Sequence, residues 1–213
     1  MLREEDKLNI KKRLEGLPNP VRLVYFTQQI AGACQYCLEG EMMLKELAPL
    51  SSSLSLEVVN FVTDQDKVSQ FGIDKIPATA IVGKEDYGLR FYGIPAGYEF
   101  ASFLDTIIRV GQGQSGIPGI QVFPIKAIAK PVRIQVFVTP TCPYCTRAAA
   151  TAFQFAMENP LIRADVVEVT EFPHLGQKYN VISVPKVVIN ETHSFEGALH
   201  ETQFLEQIQK AVA

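Results

Sequence analysis

The sequence contains two copies of one pattern, and this internal repeat limits the possible folds more than any other feature. Two cysteine pairs of the form CxxC, 34–37 and 142–145, and two prolines, Pro77 and Pro185, recur at a constant separation of 108 residues. The apolar residues between these anchors match at the same separation without a gap, and the insertions before and after them fall in predicted turns, where repeats tolerate them. We therefore predict a duplicated unit of strand, helix, strand, helix, hairpin and helix.

Apolar runs and turn residues give approximate bounds for the elements of the first copy. The predicted strands cover 21–27, 56–62, 78–82 and 88–92, and the predicted helices begin at the first cysteine pair, at Asp64 and at Tyr98. Asp64 is predicted to cap its helix and Gly72 to close it. The glycine-rich passage 111–119 marks the joint between two units, 1–113 and 114–213, and the apolar stretch 117–129 is expected to dock them in a fixed relation.

The second cysteine pair follows the apolar run 134–138 and is predicted to open a helix. Unpaired backbone N–H groups and the helix dipole at such a position stabilise a thiolate. Pro143 suits an early helical position because it has no N–H to leave unpaired. Cys145 lies on the apolar face of the predicted helix, so we expect Cys142 to be exposed and attacking and Cys145 to be buried and resolving.

Composition excludes several classes of protein. Four cysteines in 213 residues, grouped as two close pairs, do not form the framework of a small secreted domain. The segment 1–15 reads as an amphipathic helix and not as a signal peptide, so we expect a cytoplasmic protein. No apolar run is long enough to span a bilayer, and a net charge of −3 with dispersed basic residues gives no nucleic-acid footprint.

The predicted order of elements, with CxxC at a helix start and a proline at the head of a later strand, resembles the thioredoxin fold. The motif Cys142-Pro143-Tyr144-Cys145 is similar to the CPYC motif of glutaredoxins. Two such units in one chain resemble the protein disulfide oxidoreductases of thermophiles, which are relatives of protein disulfide isomerase. This resemblance implies an α/β protein of two tandem thioredoxin-fold units, each a central mixed sheet flanked by helices.

The resemblance also assigns roles to residues. It implies that Cys142 and Cys34 are nucleophiles and that Cys145 and Cys37 resolve the mixed disulfide. It further implies a set of substrate-binding residues, namely the cis-prolines Pro77 and Pro185, the preceding Ile76 and Val184, and the tyrosines Tyr36 and Tyr144 inside the motifs. A trans proline at the start of a strand is the alternative reading of Pro77 and Pro185.

By the same resemblance, the activity is reduction, oxidation or isomerisation of disulfides in protein substrates, with neither metal nor organic cofactor. The Gly-Gly-x-Asp segment with which glutaredoxins hold glutathione is missing after 187–189. A flavoenzyme similar to thioredoxin reductase is therefore the expected electron donor. Ala33 and Thr141 replace the tryptophan that precedes the motif in thioredoxin. The sequence gives no indication of an oligomeric state.

The sequence is also compatible with other functions. Two CxxC pairs can supply four thiolates to a structural zinc site, although zinc ribbons place their pairs much closer in sequence. The pair Cys34–Cys37 can be a purely structural disulfide. The chain can also be an electron relay devoted to one peroxidase, with little action on other proteins.

Glu168 stands among valines on a predicted strand. A buried carboxylate there could move protons for Cys145, because desolvation raises the pKa of an acid. The alternative, a solvated strand residue, is slightly favoured by the sequence. The matching residue in the first copy is Asn60, which cannot titrate.

Overall fold

The computed structural model describes residues 3–28 and 34–212. The N-terminal half contains α1 (Glu4–Leu14), β1 (Val21–Thr27), α2 (Cys37–Leu47), a 3-10 turn (Ala48–Leu50), β2 (Leu54–Asn60), α3 (Gln65–Phe71), β3 (Ala78–Val82), β4 (Leu89–Tyr92) and α4 (Tyr98–Gln112). The C-terminal half contains α5 (Gly119–Lys126), β5 (Val132–Val138), α6 (Cys145–Glu158), β6 (Ile162–Glu168), α7 (Pro173–Lys178), β7 (Lys186–Ile189), β8 (His193–Glu196) and α8 (Glu201–Val212). The two halves repeat one order of elements, as the sequence predicts.

All eight of these strands form one mixed sheet in the order β2-β1-β3-β4-β6-β5-β7-β8. Each half contributes four adjacent strands, and the halves meet where β4 pairs in parallel with β6, from Leu89 opposite Ala164 to Tyr92 opposite Val167. The mixed sheets flanked by helices are therefore confirmed, and they are joined into one. The division at 113/114 stays a prediction, and it falls in the connection between α4 and α5.

Apolar side chains on the two faces of the sheet form two cores. The larger core contains residues from α1, α2, α4, α5, α6 and α8, and it includes Cys142 and Cys145. The smaller core, on the other face, lies under α3 and α7 and includes Phe26, Phe71 and Phe137. Within the described residues, no helix has both the length and the apolar character that a membrane span requires.

The predicted strands at 21–27 and 78–82 agree with β1 and β3, whereas β2 begins and ends two residues earlier than predicted. Gly72 closes α3 with a left-handed φ of 60°. The predicted cap at Asp64 is wrong, because its carboxylate accepts the N–H of Asn60 and none from the first turn of α3. Helix α6 begins at Cys145, so Pro143 precedes the helix and does not lie in its first turn.

A buried ionic network joins the two halves on the face covered by α3 and α7. Asp165 of β6 is fully buried and accepts hydrogen bonds from Arg133 at 2.7 Å and from Arg163 at 2.8 Å. Arg163 also donates to the hydroxyl of Tyr92, and Arg133 donates to Asp74, both at 2.8 Å. Because Tyr92 and Asp74 belong to the N-terminal half, the network links strands and loops across the junction.

The substitution Asp165→Asn is expected to lower the free energy of unfolding by about 3 kcal/mol, because it removes the buried anion that two partly buried guanidinium groups share and leaves Arg133 only its pair with Asp74. Denaturant unfolding followed by circular dichroism measures the change. The matched control is Asp105→Asn, which breaks an exposed pair with Arg13 and is expected to cost less than about 1 kcal/mol. Equal losses in the two variants would contradict a special role of the buried network.

Candidate active site

Both cysteine pairs lie at the same edge of the sheet, namely the edge formed by the carboxyl ends of β1 and β5. Strand β1 is antiparallel to β3, β3 is antiparallel to β4, and β4 is parallel to β6, which is parallel to β5. Strands β1 and β5 therefore run in the same direction, and each leads at its carboxyl end toward a CxxC motif. Ala33, which the sequence places before the first motif, lies outside the described residues.

The pair Cys142–Cys145 forms a disulfide, and its two Cα atoms are 5.5 Å apart. Cys145 is fully buried on the helix face that also carries Ala149, Ala152 and Ala156, as predicted. The prediction of an exposed Cys142 is wrong for this oxidised state, because the residue is only 8% exposed. Its Sγ lies 3.7 Å from the carbonyl oxygen of Val184, which helps to cover it.

The start of α6 supplies a donor to the first sulfur of this pair. The backbone N–H of Cys145 points at Cys142 Sγ over 3.2 Å. In the reduced state this donor and the positive end of the α6 dipole favour a thiolate on Cys142. Tyr144 lies inside the motif at the N-cap of α6, and its side chain is 71% exposed to solvent.

The pair Cys34–Cys37 also forms a disulfide, again with Cα atoms 5.5 Å apart. Cys37 is buried, whereas Cys34 is partly exposed. The hydroxyl of Tyr25 on β1 donates to the carbonyl oxygen of Cys37 at 2.7 Å. Burial raises the pKa of Tyr25, so this phenol stays protonated and remains a donor.

Each motif closes its own disulfide, so the four sulfurs do not converge on one centre. In the part of the chain that the structure describes, no group of three or more His, Cys, Asp or Glu side chains is placed to hold a metal ion. The geometry is thus that of two separate dithiol sites, and it does not support the single four-thiolate zinc site with which the sequence is compatible.

The peptide bonds Ile76–Pro77 and Val184–Pro185 are both cis. Pro77 and Pro185 are buried, whereas Ile76, Val184 and Tyr36 are partly exposed. The roles of these residues in substrate binding stay predictions, and the contact of Val184 with Cys142 is the geometric feature that favours them.

The strand register also places the two proline segments in one row. Extending each strand pairing by one residue aligns Pro77, Gly93, Glu168, Val138 and Pro185 across five strands. Four strand spacings of roughly 4.8 Å separate the two prolines, or about 19 Å. The two dithiols therefore lie side by side on one edge of the sheet but not in contact.

Glu168 lies at the end of β6, between the two proline segments, and is only 2% exposed. The solvated alternative that the sequence slightly favours is therefore wrong. Its carboxylate accepts hydrogen bonds from the N–H and hydroxyl of Thr170 and from the N–H of Glu171. These bonds fix the loop after β6, and the proton-transfer role predicted for Glu168 stays a prediction.

Glu99 is a buried carboxylate that was not predicted from the sequence. It is 1% exposed, and neither oxygen has a hydrogen-bond partner among the described residues. Burial raises its pKa to about 7. The sequence feature that indicates its burial is its position on the apolar face of α4, one turn before Phe103 and two turns before Thr106 and Ile107.

The start of α4 places Glu99 beside the second motif, although α4 belongs to the N-terminal half. The backbone N–H of Tyr98 donates to the carbonyl of Pro140 at 3.0 Å, and the hydroxyl of Ser102 donates to the carbonyl of Thr146 at 3.4 Å. Pro140 precedes Cys142, and Thr146 follows Cys145. Glu99 lies in sequence between Tyr98 and Ser102, the two residues that bind the segment 140–146.

Comparisons with known proteins agree with this geometry. The thioredoxin domain model matches residues 132–210. A thioredoxin of Methanocaldococcus jannaschii is 32% identical over 80 residues, which cover 37% of this chain and 94% of that protein. An alkyl hydroperoxide reductase component of Pseudomonas aeruginosa is 26% identical over 128 residues, which cover 60% of this chain and 25% of that protein. The chain spans about a quarter of the length of the first curated relatives that it matches.

Solved structures also match almost the whole chain. A protein disulfide oxidoreductase from Aeropyrum pernix K1 has a TM-score of 0.92 and 30% identity, with 99% of this chain and 94% of that chain covered. The NTD_N/C domain of an alkyl hydroperoxide reductase from Enterococcus faecalis has a TM-score of 0.89 and 26% identity, with 98% and 100% covered. With two CxxC disulfides on a tandem thioredoxin fold, the chain belongs to the protein disulfide oxidoreductase family and is a thiol-disulfide oxidoreductase.

Proposed function

We propose that the chain exchanges disulfides with protein substrates, and that Cys142–Cys145 is the principal site. One observation carries the proposal: Cys142 Sγ lies between the first N–H of α6 at 3.2 Å and the backbone carbonyl of Val184 at 3.7 Å. The N–H stabilises an attacking thiolate. The Val184 backbone offers hydrogen-bonding groups to an extended substrate segment that adds as a strand.

In the reducing direction, the Cys142 thiolate attacks one sulfur of a substrate disulfide, and the other substrate sulfur leaves and takes up a proton. The mixed disulfide is then released when Cys145 loses its proton and attacks Cys142 Sγ. The substrate gains two electrons and two protons, and Cys142 and Cys145 again form a disulfide. A flavoenzyme similar to thioredoxin reductase is the proposed donor that reduces it again.

Exposed apolar side chains around this site favour a polypeptide substrate. Tyr144, Ile182 and Tyr98 are exposed by 71%, 82% and 54%, and they lie in the motif, before the proline segment and at the start of α4. Apolar surface rimming a reactive group is typical of a protein-binding site. Ile76 and Tyr36 are the corresponding substrate contacts proposed for the N-terminal dithiol.

The two dithiols are proposed to act independently. Exchange between them requires two sulfurs at bonding distance, about 2 Å, whereas the proline segments beside them are about 19 Å apart along the sheet edge. Each pair must therefore be reduced or oxidised by a partner protein that reaches the edge from solvent.

Glu99 is the proposed acceptor of the proton that Cys145 loses. A carboxyl with a pKa near 7 can take up and release protons near neutral pH, which suits a general base. Its two oxygens are not engaged elsewhere in the described structure, in contrast to the three bonds at Glu168.

Cys142→Ser is expected to remove more than about half of the insulin-reducing activity measured with dithiothreitol, and Cys34→Ser less than about half. The reason is the oriented donor at Cys142, which raises the thiolate fraction of that residue. Turbidity of the precipitating insulin B chain gives the rate. Equal losses, or a larger loss in Cys34→Ser, would show that the ranking of the two sites is wrong.

Glu99→Gln is expected to stabilise the folded protein at high pH. The folded-state pKa of about 7 exceeds the ordinary 4.5, so folding binds a proton between these values and stability falls as pH rises through them. The variant avoids this loss, so its free energy of unfolding at about pH 8 should exceed that of the parent by up to about 3 kcal/mol, with little difference below about pH 4. Denaturant titrations at both pH values measure the difference.

The same variant is expected to reduce insulin roughly tenfold more slowly above about pH 7, and to lose the step of the pH profile near pH 7. The exposed glutamate of α8 provides the control Glu206→Gln, which should leave both measurements unchanged. If the step persists in Glu99→Gln but disappears in Glu168→Gln, the proton acceptor is Glu168 and the assignment is wrong.

A second candidate function is electron transfer to a peroxidase, and the likeness to the E. faecalis alkyl hydroperoxide reductase domain favours it. The reduced chain would then reduce the disulfide of a peroxide-reducing partner much faster than that of insulin. Consumption of an alkyl hydroperoxide in a coupled assay measures the first rate. Comparable rates on insulin and on the peroxidase support general action on proteins, and a rate confined to the peroxidase supports the relay.

A further inference from the structure

The loop after β6 brings a second carboxylate of the C-terminal half against the N-terminal half. Oε1 of Glu171 accepts the backbone N–H of Ile94 at 2.8 Å. The preceding residue, Gly93, donates its N–H to the carbonyl of Pro77 at 2.9 Å. Glu171 is therefore one peptide unit away from the proline segment of the N-terminal dithiol.

The packing at Gly93 leaves no room for a side chain. A Cβ at this position would lie 3.1 Å from the carboxylate carbon of Glu171 and 2.8 Å from Cβ of Glu168, and φ is +98°. The matching glycine of the second copy is Gly197, which likewise donates to the carbonyl of Pro185. A Cβ at Gly197 would meet no atom of the described residues within 4 Å. The carboxylate contact is thus specific to the N-terminal site.

The groups around Glu171 connect it to Cys37. Its charge interacts with Glu168 on its own loop, with Glu39 on α2 and with Tyr25 on β1. Glu39 follows Cys37 by two residues, and the Tyr25 hydroxyl donates to the Cys37 carbonyl. Glu41 of α2 also interacts with Tyr25, and its charge is paired with that of Lys45 at 2.6 Å.

The carboxyl group of Glu171 has a pKa near neutral pH, so its charge changes there. Its Oε2 is buried and has no hydrogen-bond partner in the described ranges. Burial raises the pKa of Glu171 to about 7, and repulsion from Glu168 and Glu39 adds to the rise while the Ile94 N–H opposes it.

We propose that Glu171, a residue of the C-terminal half, controls by its charge the ionisation of the N-terminal dithiol Cys34–Cys37. The inference rests on the proposed exchange function and adds to it a pH-dependent regulation of one site. An ionised Glu171 opposes a thiolate on Cys34 or Cys37, and a protonated Glu171 does not. Glu171 acts on the ionisation of these thiols only by its charge and through Tyr25. It is therefore a positioning residue and not a catalytic one.

The test uses the full chain with Cys142→Ser and Cys145→Ser, so that only the N-terminal thiols react. After reduction, the rate of alkylation by iodoacetamide reports the thiolate fraction of Cys34 at each pH. Adding Glu171→Gln is expected to raise the rate at about pH 8 by about threefold or more and to shift the profile to lower pH, because a nearby negative charge is removed.

Three controls separate charge from other effects. Glu171→Asp keeps the charge and should give a pH profile near that of the parent. Damage to the fold would instead shift the profiles of both Glu171→Gln and Glu171→Asp. Glu85→Gln neutralises an exposed glutamate of the β3–β4 hairpin, at the opposite edge of the sheet, and should change nothing. In the background Cys34→Ser and Cys37→Ser, Glu171→Gln should leave the profile of Cys142 unchanged.

An unchanged Cys34 profile in Glu171→Gln, or an equal shift at Cys142, would overturn the inference. Alkylation needs no protein substrate, so this readout is independent of the proposed function. A chain that failed to reduce insulin but showed the selective shift would contradict the proposed function and still support the role of Glu171.

Discussion

The parallel pairing of β4 with β6 is the contact on which the arrangement of both sites depends. In a separate N-terminal unit, β4 would be an edge strand with a row of unpaired N–H and C=O groups. Pairing Leu89–Tyr92 with β6 satisfies these groups and aligns the carboxyl ends of β1, β4, β5 and β6. The direction of the pairing places both dithiols at one edge, and an antiparallel contact would have placed them at opposite edges.

Carboxylates from both halves are also buried where the two halves meet. Glu99 enters this region from the N-terminal half, whereas Glu168 and Glu171 enter it from the C-terminal half. Burial raises the pKa of Glu99 and of Glu171 to about 7, so each half contributes a titratable acid from a segment that contacts the other half. A chain in which the halves were separate beads would expose these carboxylates and lose this arrangement.

Most elements and the cysteine sites could be predicted from the sequence, because strand periodicity, turn residues and CxxC spacing are patterns that extend over only a few residues. The strands at 21–27 and 78–82 and the buried face of α6 are examples. The environments of Glu168 and Glu171 were not predictable, since these carboxylates pack against Gly93 and Ile94 of the other half, a contact that no local pattern specifies. For Glu99, the apolar face of α4 gave a signal of burial but did not identify the contact with the other half. The low exposure of Cys142 was missed because the carbonyl that covers its sulfur belongs to Val184, which lies 42 residues away in sequence in the same half.

The two copies have diverged through complementary changes beneath the cysteines. Tyr25 of the first copy corresponds to Val136 of the second, and Gly40 corresponds to Ala148. A Cβ at Gly40 would lie only 2.4 Å from the Tyr25 hydroxyl oxygen, so the phenol requires glycine on the facing helix. The smaller Val136 allows the alanine. Because the phenol holds the Cys37 carbonyl and valine offers no such donor, duplication of one backbone has produced two dithiols with different polar surroundings.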